Sequence, residues 1–235
     1  MKGPAADLPP VPPELRDVVE GDGLWRQLRS PPAGGAPRPA LFLDRDGTII
    51  DEVPYLSRPA DVRVIPGATQ MIARANALGV PVVVVTNQGG IGRGYFGWAE
   101  YAAVEAAVGA AVSAAGGRID ALYAAPHAPT PDPARQSPYR KPAPGMLLRA
   151  AEDLNLDLGA SWIAGDCATD VEAGLRAGLL RGWLVPTGYG ARDVDAARAL
   201  ARSGFDVVVG EDLAALTARL DALASPRLER DMKGE

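Results

Sequence analysis

Ala40-Leu41-Phe42-Leu43-Asp44-Arg45-Asp46-Gly47-Thr48 is a short apolar run that ends abruptly in two carboxylates one residue apart. The run reads as a strand buried on both faces, because strands of a helix-covered parallel sheet are continuously apolar rather than alternating. A second run of this kind, Val82-Val83-Val84-Val85, ends in Thr86. Between them, Gly67 to Leu78 places Met71, Ile72, Ala75 and Leu78 on one helical stripe, with Gly79 as its stop. The three pieces form a β-α-β unit.

The rhythm continues along the chain. A helix is expected from about Trp98 to Ala115 and a strand near Ile119 to Ala124. Helix Gly145 to Leu154 leads to strand Trp162 to Ala164, helix Val171 to Ala177 to strand Trp183 to Val185, and strand Phe205 to Val209 to a last helix. Such alternation predicts an α/β fold, a Rossmann-like doubly wound parallel sheet with helices on both faces. Ligands of such sheets bind at the carboxyl ends of the strands.

Residues 1–39 read as a proline-rich N-terminal extension outside the main fold, with Pro9, Pro10, Pro12 and Pro13 near its start and Pro31, Pro32, Pro37 and Pro39 near its end. Between these, Glu14 to Arg29 is expected to form a helix broken at Gly21-Asp22-Gly23. The main domain is taken as 40–224 and a charged tail as 225–235.

Over 235 residues, 47% hydrophobic and 23% charged content fit a globular domain, and a net charge of -5 speaks against nucleic acid or an anionic membrane as partner. Cys167 is the single cysteine, so no intrachain disulfide can form and a reducing compartment is expected. No stretch approaches the ~20 apolar residues of a membrane span, and Met1 to Pro13 lacks the apolar core of a secretory signal. The expected location is the cytoplasm.

The chemistry gathers at the strand ends. Asp44 and Asp46 close the first strand, Thr86-Asn87-Gln88-Gly89 the second; Lys141 precedes Pro142, and Asp166 follows the Trp162 strand with Asp170 four residues on. Taken singly, each has a bland reading as a turn, a helix cap or a solvated lysine. Together and in this order they meet the needs of phosphoryl transfer. Asp44 can attack phosphorus as a carboxylate nucleophile. Asp46 can protonate the leaving oxygen and then activate water. The carboxylates of Asp44 and Asp166 and the backbone carbonyl of Asp46 are hard ligands that suit Mg²⁺. Thr86, nearby amides and Lys141 can hold the remaining phosphate oxygens, with Asp170 steadying Lys141 or the metal's waters from behind.

This ordered set resembles the haloacid dehalogenase (HAD) superfamily, whose first motif is Asp-x-Asp-x-Thr/Val, over Pro39 to about Ala224. Within it, Phe42 to Ile49, Val84 to Gly94 and Arg140 to Leu147 are similar to the D-glycero-D-manno-heptose 1,7-bisphosphate 7-phosphatases and the related histidinol-phosphate phosphatases. The resemblance implies a Mg²⁺-dependent phosphatase working through an aspartyl-phosphate. It points first to the C7 phosphate of the heptose bisphosphate, with histidinol phosphate or another small sugar phosphate as alternatives. By position it makes Asp44 the nucleophile and Asp46 the acid/base, pairs Thr86 with Lys141 on the phosphoryl group, and gives Asp44, Asp46 and Asp166 to magnesium. Glu52, Tyr55, Asn87, Gln88, Arg93 and Arg140 fall where substrate is contacted.

One departure is plain. The family's zinc-stapled loop, Cys-x-His then Cys-x-Cys, here reads Ala125, His127, Ser137 and Tyr139. A structural zinc site takes four ligands, so no structural zinc is expected, and His127 reads as a surface residue. Thr86 lies 42 residues after Asp44, and Lys141 lies 55 after Thr86. Neither interval has room for a separate cap domain.

Overall fold

Leu41, Phe42 and Leu43 alternate between two apolar layers, one on each side of the sheet. Leu41 and Leu43 join Met71, Ile72, Val104 and Leu216 in one layer. Phe42 joins Met146, Leu147, Val171 and Ala173 in the other. Val82 and Val84 follow the first pair, Val83 and Val85 the second. This two-sided burial is what makes both runs continuously apolar.

The computed structural model describes residues 8–32, 34–132 and 135–225. Residues 1–7 of the extension and the tail after Ser225 lie outside these. The strands are β1 (Trp25–Leu28), β2 (Leu41–Leu43), β3 (Val82–Asn87), β4 (Ala121–Ala125), β5 (Trp162–Gly165), β6 (Arg181–Leu184) and β7 (Asp206–Val209). They lie in the order β1-β4-β3-β2-β5-β6-β7. All neighbours pair in parallel except β1, which runs antiparallel to β4. Helices α1 (Ala68–Ala77), α2 (Gly89–Gly92), α3 (Trp98–Ala114), α4 (Gly145–Leu154), α5 (Ala168–Ala177), α6 (Gly190–Arg198), α7 (Leu213–Thr217) and α8 (Leu220–Ala224) fill the connections. From β2 the chain winds outward through β3 and β4, then returns to the other side of β2 for β5. The reversal point between β2 and β5 is where such a sheet opens a crevice.

Two expectations are corrected. Glu14 to Arg29 is not a broken helix: a short 3-10 turn (Pro13–Leu15) is followed by a tight reversal and then β1. The reversal is closed by Gly23 N–H to Glu20 O at 2.8 Å and Glu20 N–H to Leu24 O at 2.9 Å, with Gly23 at φ 87°. Nor does this stretch lie outside the fold, because Leu24 and Trp25 are buried and β1 covers the edge that β4 would otherwise expose. Arg26 ties it further to Asp153 of α4 with two bonds of 2.6 Å. Helix α6 was not anticipated, since only Gly190 and Ala197 of it are buried and Val194 is its one larger apolar residue on the core.

Among the described residues no separate domain interrupts the β2–β3 or β3–α4 connections, and no helix is long and apolar enough to cross a membrane.

Candidate active site

Lys141 is the hub of the crevice. Its side chain is buried, and Nζ donates to Asp44 Oδ1, Asp170 Oδ1 and the carbonyl of Val85, each at 2.7 Å. Burial alone would lower the lysine's pKa, but Asp170 and Asp44 outweigh it and hold the ammonium above its ordinary range. Asp44 leaves β2 with its own N–H on Ala164 O of β5 at 2.9 Å, which places it at the reversal point. Burial pushes its carboxyl well above the usual carboxylate range. Lys141 opposes this, and Asp170, Asp166 and Asp46 add to it.

Asp46 turns toward the same cleft and accepts from Gln88 Nε2 at 2.8 Å and from Thr86 Oγ1 at 3.4 Å, both on Oδ2. Gln88 Nε2 also reaches Thr86 Oγ1 at 2.9 Å, so the end of β3 and the end of β2 are knitted together.

Asp166 follows β5, and its Oδ2 accepts from the Tyr189 N–H at 2.7 Å. The carboxylate lies against the Cα atoms of Gly47 (φ 76°) and Gly188 (φ 52°), where any Cβ would run into its oxygens. Burial raises Asp166 to about 6; the Tyr189 amide opposes and the Asp170 charge adds. Three carboxylates, Asp44, Asp166 and Asp170, thus share one ammonium, and the cluster is short of positive charge. Asp170 is already engaged, with Lys141 and with the Cys167 N–H at 2.9 Å. Burial first, then Asp170 and Asp166, pushes the Cys167 thiol up, and its soft sulfur does not suit a hard cation such as Mg²⁺. Asp44, Asp166 and the Asp46 carbonyl remain, an all-oxygen set that fits Mg²⁺.

The cleft has a volume of about 370 Å³ and is lined at its mouth by Glu52, Tyr55, Arg93 and Arg140. Arg93 donates to the Tyr55 hydroxyl, and the Tyr55 and Tyr95 rings meet edge to face at 4.3 Å. Arg140 Nη1 donates to His127 O at 3.0 Å; burial and then the nearby Arg93 charge lower its pKa. Among the described residues neither guanidinium is paired with a carboxylate. Glu52 is raised to about 7, by burial first and then by Asp46 and Asp166.

Two readings change in this setting. Asn87, expected at the substrate, has its amide engaged with the Lys141 backbone: Nδ2 donates to Lys141 O at 3.0 Å and Oδ1 accepts from Lys141 N at 2.9 Å. His127 is not a surface residue but is 8% exposed. Asp22, in the segment before β1, lies near it; burial lowers its pKa while Asp22 acts the other way. At the other positions where the family carries its zinc staple, Ala125 is buried in β4, Ser137 Oγ accepts from the Tyr139 N–H at 3.2 Å, and Tyr139 donates to Asp22 at 2.7 Å.

The sequence reading passed over Arg45, Glu105 and Tyr189. Arg45 and Glu105 are buried and joined at 2.5 Å. A signal for Glu105 existed, since it shares a helical face with Tyr101, Val104 and Val108.

A HAD-hydrolase-like family model matches residues 138–215. A D-glycero-beta-D-manno-heptose-1,7-bisphosphate 7-phosphatase of Mesorhizobium japonicum is 49% identical over 150 residues, 63% of this chain and 69% of that protein. The crystal structure of a HAD-like phosphatase from Mesorhizobium loti superposes with a TM-score of 0.74 at 38% identity, covering 88% of this chain and 97% of that one. That of the D,D-heptose 1,7-bisphosphate phosphatase of B. bronchiseptica, complexed with magnesium and phosphate, gives 0.68 at 34% identity over 77% and 97%. Likeness of this extent in both sequence and fold decides the affiliation: the chain is a phosphoric monoester hydrolase of the HAD type and belongs to the family of the D-glycero-D-manno-heptose-1,7-bisphosphate 7-phosphatases.

Proposed function

We propose that the chain removes the C7 phosphate of D-glycero-D-manno-heptose 1,7-bisphosphate, leaving the heptose 1-phosphate. The observation that carries this reading is the arginine pair at the cleft mouth. Arg93 and Arg140 hold like charges close together with no carboxylate partner among the described residues, an arrangement that a second phosphate on the substrate relieves.

The chemistry follows from the groups beneath. An Asp44 oxygen attacks phosphorus while Asp46 gives its proton to the departing C7 oxygen, so the P–O bond to the sugar breaks as the aspartyl-phosphate forms. Asp46, now a carboxylate, takes a proton from water, which attacks the same phosphorus. Inorganic phosphate leaves and Asp44 is restored. Lys141 and Thr86 hold phosphate oxygens, and Asp170 keeps the lysine charged and aimed. Asp44, Asp166 and the Asp46 carbonyl would hold magnesium, which when bound offsets the negative charge that nucleophile and phosphate bring together.

The lone cysteine and the lack of a spanning helix among the described residues fit a cytoplasmic enzyme. A phosphate-release panel with heptose 1,7-bisphosphate, histidinol phosphate and common sugar monophosphates tests the proposal. Highest kcat/KM on the bisphosphate is expected; a clear preference for histidinol phosphate or a monophosphate overturns it.

A further inference from the structure

One buried ion pair beneath the cleft has no part in the scheme above. Arg45 stands between Asp44 and Asp46, and alternation in an extended chain would send it away from the cleft. Instead its Nε and Nη2 reach both oxygens of Asp46, at 2.9 to 3.1 Å. Nη1 meets Glu105 Oε1 of α3 at 2.5 Å, and the Tyr101 ring centroid lies 5.4 Å from the guanidinium carbon. Arg45 and Glu105 are 1% and 2% exposed.

Stability alone does not explain such a pair, because two apolar side chains of similar volume serve a core at least as well as a buried salt bridge. Its geometry does suggest a role. Gln88 and Thr86 both donate to Oδ2 of Asp46, while Oδ1 accepts only from Arg45 Nη2 among the described residues. A long guanidinium side chain has many rotamers, and Glu105 is what fixes this one. We propose that Glu105 is a positioning residue for proton transfer: it fixes Arg45, and Arg45 holds the Asp46 carboxyl toward the leaving oxygen. The inference rests on the reading of Asp46 as acid and base. The step served is the one in which the P–O bond to the sugar breaks, the Asp44–phosphorus bond forms, and the proton passes from Asp46 to the sugar oxygen.

The test compares kcat/KM on two substrates. A sugar phosphate leaves as an alkoxide and needs the proton; p-nitrophenyl phosphate leaves readily without it. Glu105→Gln keeps the volume and removes the charge. It should lose roughly 10–100-fold on heptose 1,7-bisphosphate and less than about threefold on the aryl phosphate, as expected of a misaimed proton donor. The double variant Arg45→Met/Glu105→Met should melt near wild type and show the same selective loss. Full activity of a folded double variant on the sugar phosphate makes the pair mere core filling and overturns the proposal. So does an equal loss on both substrates in Glu105→Gln. Asp46→Asn separates the two levels of argument. If it shows no selective loss, the acid/base reading itself fails; if it does while the Glu105 variants do not, only the positioning role fails.

Discussion

Asn87 and Lys141 grip each other through the backbone: the Asn87 amide accepts from the Lys141 N–H at 2.9 Å and donates to the Lys141 carbonyl at 3.0 Å. The end of β3 thereby fixes the loop that delivers the Lys141 ammonium to Asp44. Asn87→Ala should act through the lysine and not through the sugar. Turnover should drop roughly 10–100-fold on bisphosphate and monophosphate alike, as misplacement of a charged group implies. Loss confined to the bisphosphate would return Asn87 to the substrate.

Arg140→Ala should behave in the opposite way. Loss of a charge-assisted contact of ~1.5–3 kcal/mol predicts a fall in kcat/KM of roughly 10–100-fold for the bisphosphate, with a small monophosphate hydrolysed almost as before. Steady-state phosphate release on both substrates checks it. Equal losses would place Arg140 in the catalytic machinery.

Asp44→Asn should leave the fold intact and reduce turnover below about a hundredth of wild type, because an amide cannot replace the carboxylate nucleophile. Higher residual activity, with circular dichroism unchanged, would remove Asp44 from that role.

Chelation by EDTA should abolish activity and added Mg²⁺ restore it. Elemental analysis of protein purified without added metal should find no stoichiometric zinc, since only His127 of the four staple positions carries a zinc-type ligand. One zinc per chain whose removal loosens the loop would contradict this.

Trp25→Ala probes the first strand. Trp25 is buried, stacking on Trp98 with centroids 6.3 Å apart and meeting Tyr101 edge to face at 5.0 Å. Emptying that volume should cost about 3–5 kcal/mol and lower Tm by roughly 6–20 °C. A melt within a degree or two of wild type would mean that the segment is an appendage.

The difference between what the sequence disclosed and what it hid has physical causes. Ala40 to Leu43 and Val82 to Val85 could be read because burial on both faces leaves an unbroken apolar string. Trp25–Leu28 could not: it is short, it carries Arg26 and Gln27, and its partner β4 is remote in the chain. Asp44, Asp46, Thr86, Lys141, Asp166 and Asp170 stood out because each adjoins a strand end or leads into the loop beside one, and the structure brings them together. Glu105 lies in the middle of a helix, where a lone charge reads as solvated until its spacing with Tyr101 and Val108 is noticed. His127 was misplaced because its burial depends on parts of the chain far from it in sequence, Asp22 among its neighbours, which local sequence does not reveal.

The antiparallel first strand also constrains the order of events during synthesis. Trp25 to Leu28 is made before its partner, Ala121 to Ala124, which follows only about a hundred residues later, so this pairing is a late, long-range closure. Until then the backbone of Trp25 to Leu28 waits for its ladder partner. The prolines on either side, Pro9 to Pro13 and Pro31 to Pro39, cannot donate to a ladder and so discourage premature pairing with other chains. The same prolines that made the segment look like a linker would then act as its guards while it waits.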